Sequence, residues 1–553
     1  MNTPVGLLDP RAFFSYSPFM VVKRAPEVPP TVKTLDPAFE KMGRRRHWGL
    51  FLGPITFLII LTAPIPSLEG PAQAVLAVGA LMAVWWLTEA LPLAATALLP
   101  LVLFPLLNVA GTSDTAPSYM NRNILLFMGG FFLAMAMQRW RLHRRIALFI
   151  VSKAGTGGRR LVLGFMIATA FLSMWISDTA TAMMMLPIVL AVILQISPDQ
   201  SEQKDLSKDE AAGRDDEADA TASALLLGMA YAALIGGVAT LVGTPPNIVF
   251  AGAVSSMYPN APPISFFQWM MVGLPLTIVF LPLAWLYLTR IAFKVPKGPI
   301  STEGIDVLRE QQKQLGPLSR GELGVGIIFF LTALGWVWRA DLNFGIIAIP
   351  GWSTLLGLEG VNDATVAIAA SLLLFTIPTD MKKGHFLLDW QWAVRIPWGI
   401  LLLFGGGIAL AGGIADTGLA GWIGERLQVL GKVPIILMVF MVCVLITFLT
   451  EITSNTATAT VFMPIMGATA VALNANPLLL MIPAALSASC AFMLPVATPA
   501  NAIVFGSGRI TLPQMARTGF ALNWMGAILI PIVIYLLAIP VFRIMLGGLP
   551  PWA

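Results

Sequence analysis

FLSMWISDTATAMMMLPI (residues 171–188) and FLTEITSNTATATVFMPI (residues 448–465) are two versions of one apolar segment with a short polar tip near its middle. The tips read Ser177-Asp178-Thr179 in the first segment and Ser454-Asn455-Thr456 in the second. Further along the chain each segment is followed by another matched interruption, GTPPNIVF from Gly243 and ATPANAIVF from Ala497. The duplication therefore covers a constellation of four interruptions and not a lone tripeptide.

The spacing of the matched segments indicates two related halves. Ser177 and Ser454 are 277 residues apart, while ILLFMGG from Ile124 and ILLLFGG from Ile400 are 276 residues apart. Paired, broken apolar segments at corresponding positions of two halves are typical of secondary transporters, in which substrate and coupling ions bind where the backbone is irregular.

The composition is that of a chain that crosses a membrane many times. Of its 553 residues, 57% are hydrophobic and 11% are charged, and the mean hydropathy of +0.79 is far above that of a soluble domain. At roughly 20 residues per span, the apolar stretches provide about ten or eleven crossings and leave no room for a large soluble domain. We therefore predict an all-α polytopic membrane protein.

The distribution of charge and the absence of certain motifs argue against several classes of function. The formal charge is +5, but the arginines cluster at the ends of apolar stretches, where membrane orientation explains them better than nucleic acid does. Cys443 and Cys490 lie in apolar context and indicate neither a disulfide framework nor a cysteine metal site. Metalloprotease, nucleophile-elbow and Walker motifs are absent, so neither an enzyme nor an ATP-driven pump is expected.

The breaks in hydropathy predict how the chain is divided. The stretch from Leu161 to Ile196 is too long for one span and is broken near its middle, so we predict a hairpin that enters and leaves on one side. The predicted parts are a cytoplasmic N-terminal segment (1–47), scaffold spans with an interfacial helix (48–160), a first hairpin and broken helix (161–290) with a mobile linker (197–220), a cytoplasmic linker (291–321), a second scaffold part (322–432), and a second hairpin, broken helix and last span (433–553).

The predicted repeat has an odd number of spans. Five crossings per half give the halves opposite orientation, so the two hairpins enter from opposite sides and their tips meet near the midplane. We predict two inverted repeats of five spans, each with a re-entrant hairpin and a broken helix, plus one extra N-terminal span, or about 11 transmembrane helices. Arg44, Arg45 and Arg46 before the first span predict a cytoplasmic N-terminus. The architecture, together with the lack of a recognisable targeting sequence, predicts a bacterial-type inner or plasma membrane.

The polar tips have the chemistry of an ion and anion site. Irregular backbone is tolerated at membrane depth only when it is buried in protein or lines a cavity. Short hydroxyl and amide oxygens suit hard cations such as Na⁺, while hydroxyl and amide donors and the positive ends of half-helices suit an anion. A single S-x-T sequence usually packs between helices. Two such tips at the spacing of the internal repeat favour a binding site instead.

From about residue 45 to its end, the chain resembles the divalent anion:sodium symporter family, also called solute carrier family 13, whose members carry dicarboxylates, citrate or sulfate. The resemblance rests on two S-N-T tips, the first reading S-D-T here, on two T-P-x-N breaks, and on their order. It implies Na⁺ as coupling ion, no organic cofactor, and a homodimer that works by an elevator motion of hairpins and broken helices against a scaffold.

The resemblance also implies the site residues. It implies a first sodium site at Ser173, Ser177, Asp178 and the carbonyl of Gly243, and a second at Thr450, Ser454, Asn455 and the carbonyl of Ala497. It implies that the substrate is bound at Ser177, Asp178, Thr179, Thr244, Pro245, Ser454, Asn455, Thr456, Thr498 and Pro499.

Asp178 departs from the family pattern, which has asparagine at this position. An ionised carboxylate has no donors and repels an anion, at about 4 kcal/mol for charges about 4 Å apart and an effective dielectric of about 20. Three outcomes relieve this repulsion: Asp178 binds Na⁺ directly, it carries H⁺, or it shifts selectivity toward a less charged substrate. Glu451 is a second acid in apolar context, and we expect it to brace its hairpin.

The predicted function is secondary active transport of divalent anions, with C4-dicarboxylates such as succinate, malate or fumarate as substrates and sodium as the coupled ion. The alternatives are a proton-coupled or exchange-type carrier of dicarboxylates, citrate or sulfate, and a cation:proton antiporter of the same superfamily. The expected partners are a small dicarboxylate, the lipid bilayer and a second copy of the chain.

Overall fold

The computed structural model describes residues 44–68, 70–155, 157–196, 208–298, 310–343, 348–358, 360–427 and 433–553. Most of the predicted N-terminal segment and the beginning of the predicted linker at 197–220 lie outside these ranges. Eight helices of the described part are long and apolar enough to cross a membrane, and four shorter apolar helices accompany them. The prediction of an all-α polytopic membrane protein is confirmed, while the number of about 11 spans stays a prediction.

The first half of the chain contains twelve α-helices in the described ranges. They are α1 (Arg44–Thr62), α2 (Gly70–Thr88), α3 (Leu93–Thr96), α4 (Leu99–Leu106), α5 (Thr112–Thr115), α6 (Arg122–Arg139), α7 (Leu142–Lys153), α8 (Gly158–Ser173), α9 (Asp178–Ile196), α10 (Lys208–Gly237), α11 (Pro245–Met257) and α12 (Phe266–Leu286). A 3₁₀ turn at Ala116–Met120 precedes α6, and a π-helical turn at Tyr287–Ala292 extends α12.

The second half adds twelve α-helices and two short ribbons in the described ranges. The helices are α13 (Arg320–Val337), α14 (Trp352–Leu355), α15 (Asp363–Thr376), α16 (Trp390–Ala393), α17 (Trp398–Asp416), α18 (Leu419–Leu427), α19 (Ile435–Thr450), α20 (Asn455–Ala472), α21 (Leu478–Ala488), α22 (Pro499–Phe505), α23 (Leu512–Val533) and α24 (Ile539–Val541). Strand β1 (Leu342–Asn343) pairs antiparallel with β2 (Ala348–Ile349), and β3 (Pro378–Asp380) with β4 (His385–Phe386).

The two polar tips interrupt the helices at equivalent places. Helix α8 ends at Ser173 and α9 begins at Asp178, while α19 ends at Thr450 and α20 begins at Asn455. The carbonyl of Ser177 accepts the first helical bond of α9, from Thr181 N at 2.9 Å, and the carbonyl of Ser454 does the same for α20, from Thr458 N at 2.9 Å. Each tip therefore starts a new helix inside the apolar segment.

The two later interruptions separate α10 from α11 and α21 from α22. Thr244 and Thr498 precede these second pieces with nearly the same extended backbone, φ −144° and ψ 144° at Thr244 and φ −141° and ψ 149° at Thr498. A proline follows each threonine at the first helical position, where its missing N–H costs nothing. The breaks are thus local consequences of the repeated T-P sequence.

Helix α10 begins earlier than the sequence analysis placed it. The predicted mobile linker ran to residue 220, but the chain is helical from Lys208. Alanine, glutamate and lysine are good helix formers, and the stretch Lys208–Ala220 is rich in alanine and acidic residues. The second part of the linker therefore belongs to α10, in which every residue from Thr221 to Gly237 is buried.

The packing brings the two halves together at their breaks. Helix α22 of the second half contacts α9 and α10 of the first half, and α11 of the first half contacts α17 and α20 of the second. Each broken helix therefore packs on the hairpin of the other half. This exchange places both tips and both breaks around one space.

Candidate functional site

One cavity of about 550 Å³ lies between the two tips and the two breaks, a size usual for small-molecule sites. Its lining includes all ten residues predicted to bind substrate: Ser177, Asp178, Thr179, Thr244, Pro245, Ser454, Asn455, Thr456, Thr498 and Pro499. Ala497, predicted as a sodium ligand, also lines it, whereas Ser173, Gly243 and Thr450 do not. The structure thus brings together residues that are more than 300 positions apart in the sequence.

The first tip presents an acidic side chain without a basic partner. Asp178 is 7% exposed, and its Oδ1 accepts hydrogen bonds from the N–H (2.7 Å) and the hydroxyl (3.3 Å) of Thr179. In the described ranges no Lys, Arg or His comes within ion-pair distance of this carboxylate. A buried carboxylate of this kind is neutralised either by a bound cation or by a proton.

Backbone oxygens crowd around Gly243 beside this tip. A Cβ added at Gly243 would lie 2.4 Å from the carbonyl oxygen of Gly237 and 2.9 Å from that of Ser173, so only glycine fits. The Ser173 hydroxyl donates to the carbonyl of Ala233 at 2.6 Å and is fully buried. Carbonyl, hydroxyl and carboxylate oxygens, the donor types of the predicted first sodium site, are those that suit Na⁺.

The second tip carries no charge of its own. The Thr450 hydroxyl donates to Asn455 Oδ1 at 2.8 Å and approaches the carbonyl of Ala488 at 3.1 Å, linking the hairpin arm, the tip and the broken helix. Thr450 is fully buried and Asn455 is 9% exposed. Hydroxyl, amide and carbonyl oxygens fit Na⁺ here as well, without a carboxylate.

Glu451 fastens the second break to the second hairpin. Its Oε1 accepts the N–H groups of Phe492 at 2.7 Å and Met493 at 2.9 Å, and its Oε2 accepts that of Leu494 at 3.0 Å. Asn523 Nδ2 donates to the same Oε1 at 2.8 Å. The carboxylate therefore satisfies three N–H groups of the unwound segment between α21 and α22, which extends the predicted bracing of the hairpin to the broken helix.

The asparagines of the two T-P-x-N motifs brace the breaks from inside. Both are fully buried. Asn247 Nδ2 donates to the carbonyl of Thr240 at 2.7 Å, and Asn501 Nδ2 donates to the carbonyls of Ala491 at 2.9 Å and Leu494 at 3.1 Å. The sequence analysis assigned no role to these two residues, although the repeated asparagine three positions after the threonine was the signal.

The two break threonines differ in their hydroxyl bonds. The Thr498 hydroxyl caps α22 by accepting the Asn501 N–H at 3.2 Å, whereas the Thr244 side chain makes no capping bond to α11. Both residues line the cavity. The Thr244 hydroxyl is therefore the freer of the two to bind a substrate.

Comparison with known proteins gives a consistent family assignment. The sequence model described as the sodium:sulfate symporter transmembrane region matches residues 44–549. The sodium-dependent dicarboxylate transporter SdcS of Staphylococcus saprophyticus is 43% identical over 501 residues, which cover 90% of this chain and 92% of that protein. SdcS of Staphylococcus aureus is 44% identical over 492 residues, 88% of this chain and 90% of that protein.

A solved structure was also found. The crystal structure of the Alcanivorax borkumensis YdaH transporter aligns with 89% of this chain and 97% of that chain, at 13% sequence identity and a TM-score of 0.48. This likeness is too distant to support an argument, and the assignment rests on the family match and the SdcS relatives. The chain belongs to the sodium:sulfate symporter family, also called the divalent anion:sodium symporter family, and is a membrane transporter rather than an enzyme.

Proposed function

We propose that this protein is a sodium-coupled symporter of C4-dicarboxylates such as succinate, malate or fumarate. One observation carries the proposal: a single cavity is lined by both polar tips and both T-P breaks. The names of the SdcS relatives, which are sodium-dependent dicarboxylate transporters, support the substrate class and the coupling ion.

The substrate would be bound between the tips by neutral donors. Ser177, Thr179, Ser454, Asn455 and Thr456 all line this cavity, and hydroxyl and amide groups donate to carboxylate oxygens. Helices α9 and α20 both begin at this space, so their positive N-terminal ends favour an anion there. A dicarboxylate has one carboxylate for each tip.

Sodium ions would bind behind the tips. The first would be held by Ser173, Ser177, Asp178 and the carbonyl of Gly243, and the second by Thr450, Ser454, Asn455 and the carbonyl of Ala497. Sodium at the first position offsets the charge of Asp178, which would otherwise repel the substrate. This gives a physical reason for substrate binding to depend on sodium.

The larger architecture is part of the proposal. We infer two inverted repeats, a cytoplasmic N-terminus in an inner or plasma membrane, a homodimer, and an elevator motion of the hairpins with the broken helices. The equivalent backbone at Thr244 and Thr498 supports the repeats. The bonds of Glu451 to Met493 and Leu494 support a hairpin and broken helix that move together.

Proton-coupled or exchange-type transport is the second candidate. The carboxylate of Asp178, which has no basic partner in the described part of the chain, favours it, because an acid in a membrane interior is neutralised either by a cation or by a proton. A cation:proton antiporter of the same superfamily would use the same residue, but it would not bind a dicarboxylate.

The test is uptake of radiolabelled succinate into proteoliposomes that contain the purified protein. An inward Na⁺ gradient should drive accumulation, and an equal K⁺ gradient should not. Uptake that does not depend on Na⁺ but depends on pH or on internal succinate would contradict sodium symport and support the second candidate. An absence of saturable succinate binding and uptake in both salts would refute the dicarboxylate assignment.

A further inference from the structure

The cavity also has lining residues that belong to neither the tips nor the breaks, and among them Gln138 and Arg395 are polar. They include Gln138 near the end of α6, Trp392 in α16, and Arg395 and Ile396 between α16 and α17. Arg395 is exposed, so the cavity reaches the protein surface beside it. We call this region the mouth of the cavity.

Charge is distributed unevenly along the cavity. Among its described lining residues, Arg395 is the one cation and Asp178 the one anion. The positive charge therefore lies at the mouth, and the negative charge lies at the tips. A dianion that enters from this side meets an attractive group before it reaches the repulsive one.

Arg395 is held in place without being neutralised. Its guanidinium lies over the ring of Trp392, 4.4 Å from the centroid, a stacking that leaves the charge intact. The neighbouring Arg139 is instead paired with Asp389 at 2.8 Å. In the ranges that the structure describes, no carboxylate pairs with Arg395, so its charge is available to a ligand.

We propose that Arg395, stacked on Trp392, is an anion-collecting residue at the mouth of the cavity, which raises the local concentration of the dicarboxylate and directs it to the tips. The inference rests on the proposed function and assigns a residue outside both tips and both breaks. One charge of opposite sign at the edge of a cleft speeds the encounter with a charged ligand in a salt-dependent way.

The test compares Arg395→Gln with Arg395→Lys in membrane vesicles of both orientations. Removing the charge should raise the apparent KM for succinate by about three- to tenfold when it is presented on the mouth side, and much less from the opposite side. Lysine should restore most of the affinity. Raising the ionic strength with choline chloride at fixed Na⁺ should shrink the difference, because the Debye length falls to about 3 Å at 1 M.

Arg426 offers a matched control. It also stacks on a tryptophan, Trp422, at 4.9 Å and is exposed, but it does not line the cavity. Arg426→Gln should leave the KM for succinate unchanged. Monomethyl succinate, with one charge fewer, should lose less affinity than succinate when Arg395 is neutralised.

Two results would overturn the inference. The first is an Arg395→Gln variant that keeps the wild-type KM on both sides. The second is a rise in the KM for succinate that also occurs in Arg395→Lys and that higher salt does not reduce. Such a result would show that Arg395 acts by packing and not by its charge. Failure of the proposed function has a different signature, because the unmodified protein would then not transport succinate.

Discussion

Arg141 and Gly418 are 277 residues apart and both have left-handed backbone, with φ values of 56° and 76°. Arg141 joins α6 to the short helix α7, and Gly418 joins α17 to the short helix α18. The two chain reversals therefore occupy equivalent positions in the two halves. The same turn is made once with glycine, which adopts this backbone freely, and once with a residue that does so at a cost.

Replacing Gly418 by alanine should destabilise the protein by about 1 kcal/mol. An added Cβ would meet nothing within 4 Å, so the cost is conformational and not steric. The melting temperature of the purified protein in detergent should fall. Gly421→Ala is the matched control, because it also lies in open space but within the helix α18, where alanine is favoured by about 0.5–1 kcal/mol. Equal melting temperatures for the two variants would contradict this account.

Changing Glu451 to glutamine should weaken both the protein and its transport. The amide offers one acceptor oxygen where the carboxylate offers two, so at least one of the N–H groups of Met493 and Leu494 loses its partner. A buried bond to a charged group contributes about 1.5–3 kcal/mol. We expect a lower melting temperature and little sodium-dependent uptake.

The exposed acid Glu425 provides the control for Glu451. Glu425→Gln should preserve both melting temperature and uptake. Wild-type uptake by Glu451→Gln would show that the second break does not need this carboxylate.

His143 in α7 should make stability depend on pH. Burial, together with the charges of Arg144 and Arg141, lowers the pKa of this histidine below 6.5, and its Nδ1 donates to the carbonyl of Met137 at 3.1 Å. The unfolded chain therefore binds more protons than the folded chain. The contribution of neutral His143 to the free energy of unfolding is fully present above about pH 6.5 and is lost as the pH falls below that value.

The measurement for His143 is the melting temperature at pH 5.5 and 7.5. His143→Gln should reduce the difference between the two. An unchanged pH difference in His143→Gln would assign the effect to other groups.

The sequence could single out the residues that line this cavity because they lie at local interruptions of the apolar runs. Ser177, Thr244, Ser454 and Thr498 lie where polar or proline residues break apolar runs, and such breaks are visible without tertiary structure. The packing of each broken helix on the hairpin of the other half was not predicted from the repeat. What local sequence signals cannot show is which distant groups satisfy a buried side chain.

Glu451 illustrates that limit. Its partners in the segment 492–494 lie about forty residues away and contribute backbone N–H groups, which have no sequence signature. The ribbons β1–β2 and β3–β4 were missed because strands of two or three residues have no measurable periodicity. Arg395 was interpreted from charge alone as an orientation signal, and only the fold brings it to the cavity.

Asp178→Asn restores the asparagine that the family has in the first tip and tests the role of the acid directly. If Na⁺ binds at Asp178, a proton competes with it for the same carboxylate, so lowering the pH should raise the apparent KM of the wild-type protein for Na⁺. The variant should lose this pH dependence. The variant should also bind Na⁺ about tenfold more weakly at neutral pH. This loss of binding free energy is smaller than the Coulomb attraction of about 4 kcal/mol expected for charges about 4 Å apart at a dielectric of about 20.

Sodium binding without substrate gives a readout for Asp178 that does not depend on transport. Trp175 is two residues before the tip, so its intrinsic fluorescence in a protein whose other tryptophans are replaced by phenylalanine can report Na⁺ titrations at several pH values. Thr179→Ser, which keeps the hydroxyl and the backbone donor to Asp178, is the control and should titrate like the parent. Superimposable pH profiles for Asp178→Asn and its parent would exclude the carboxylate from cation binding, and the charge at the first tip would then need another explanation.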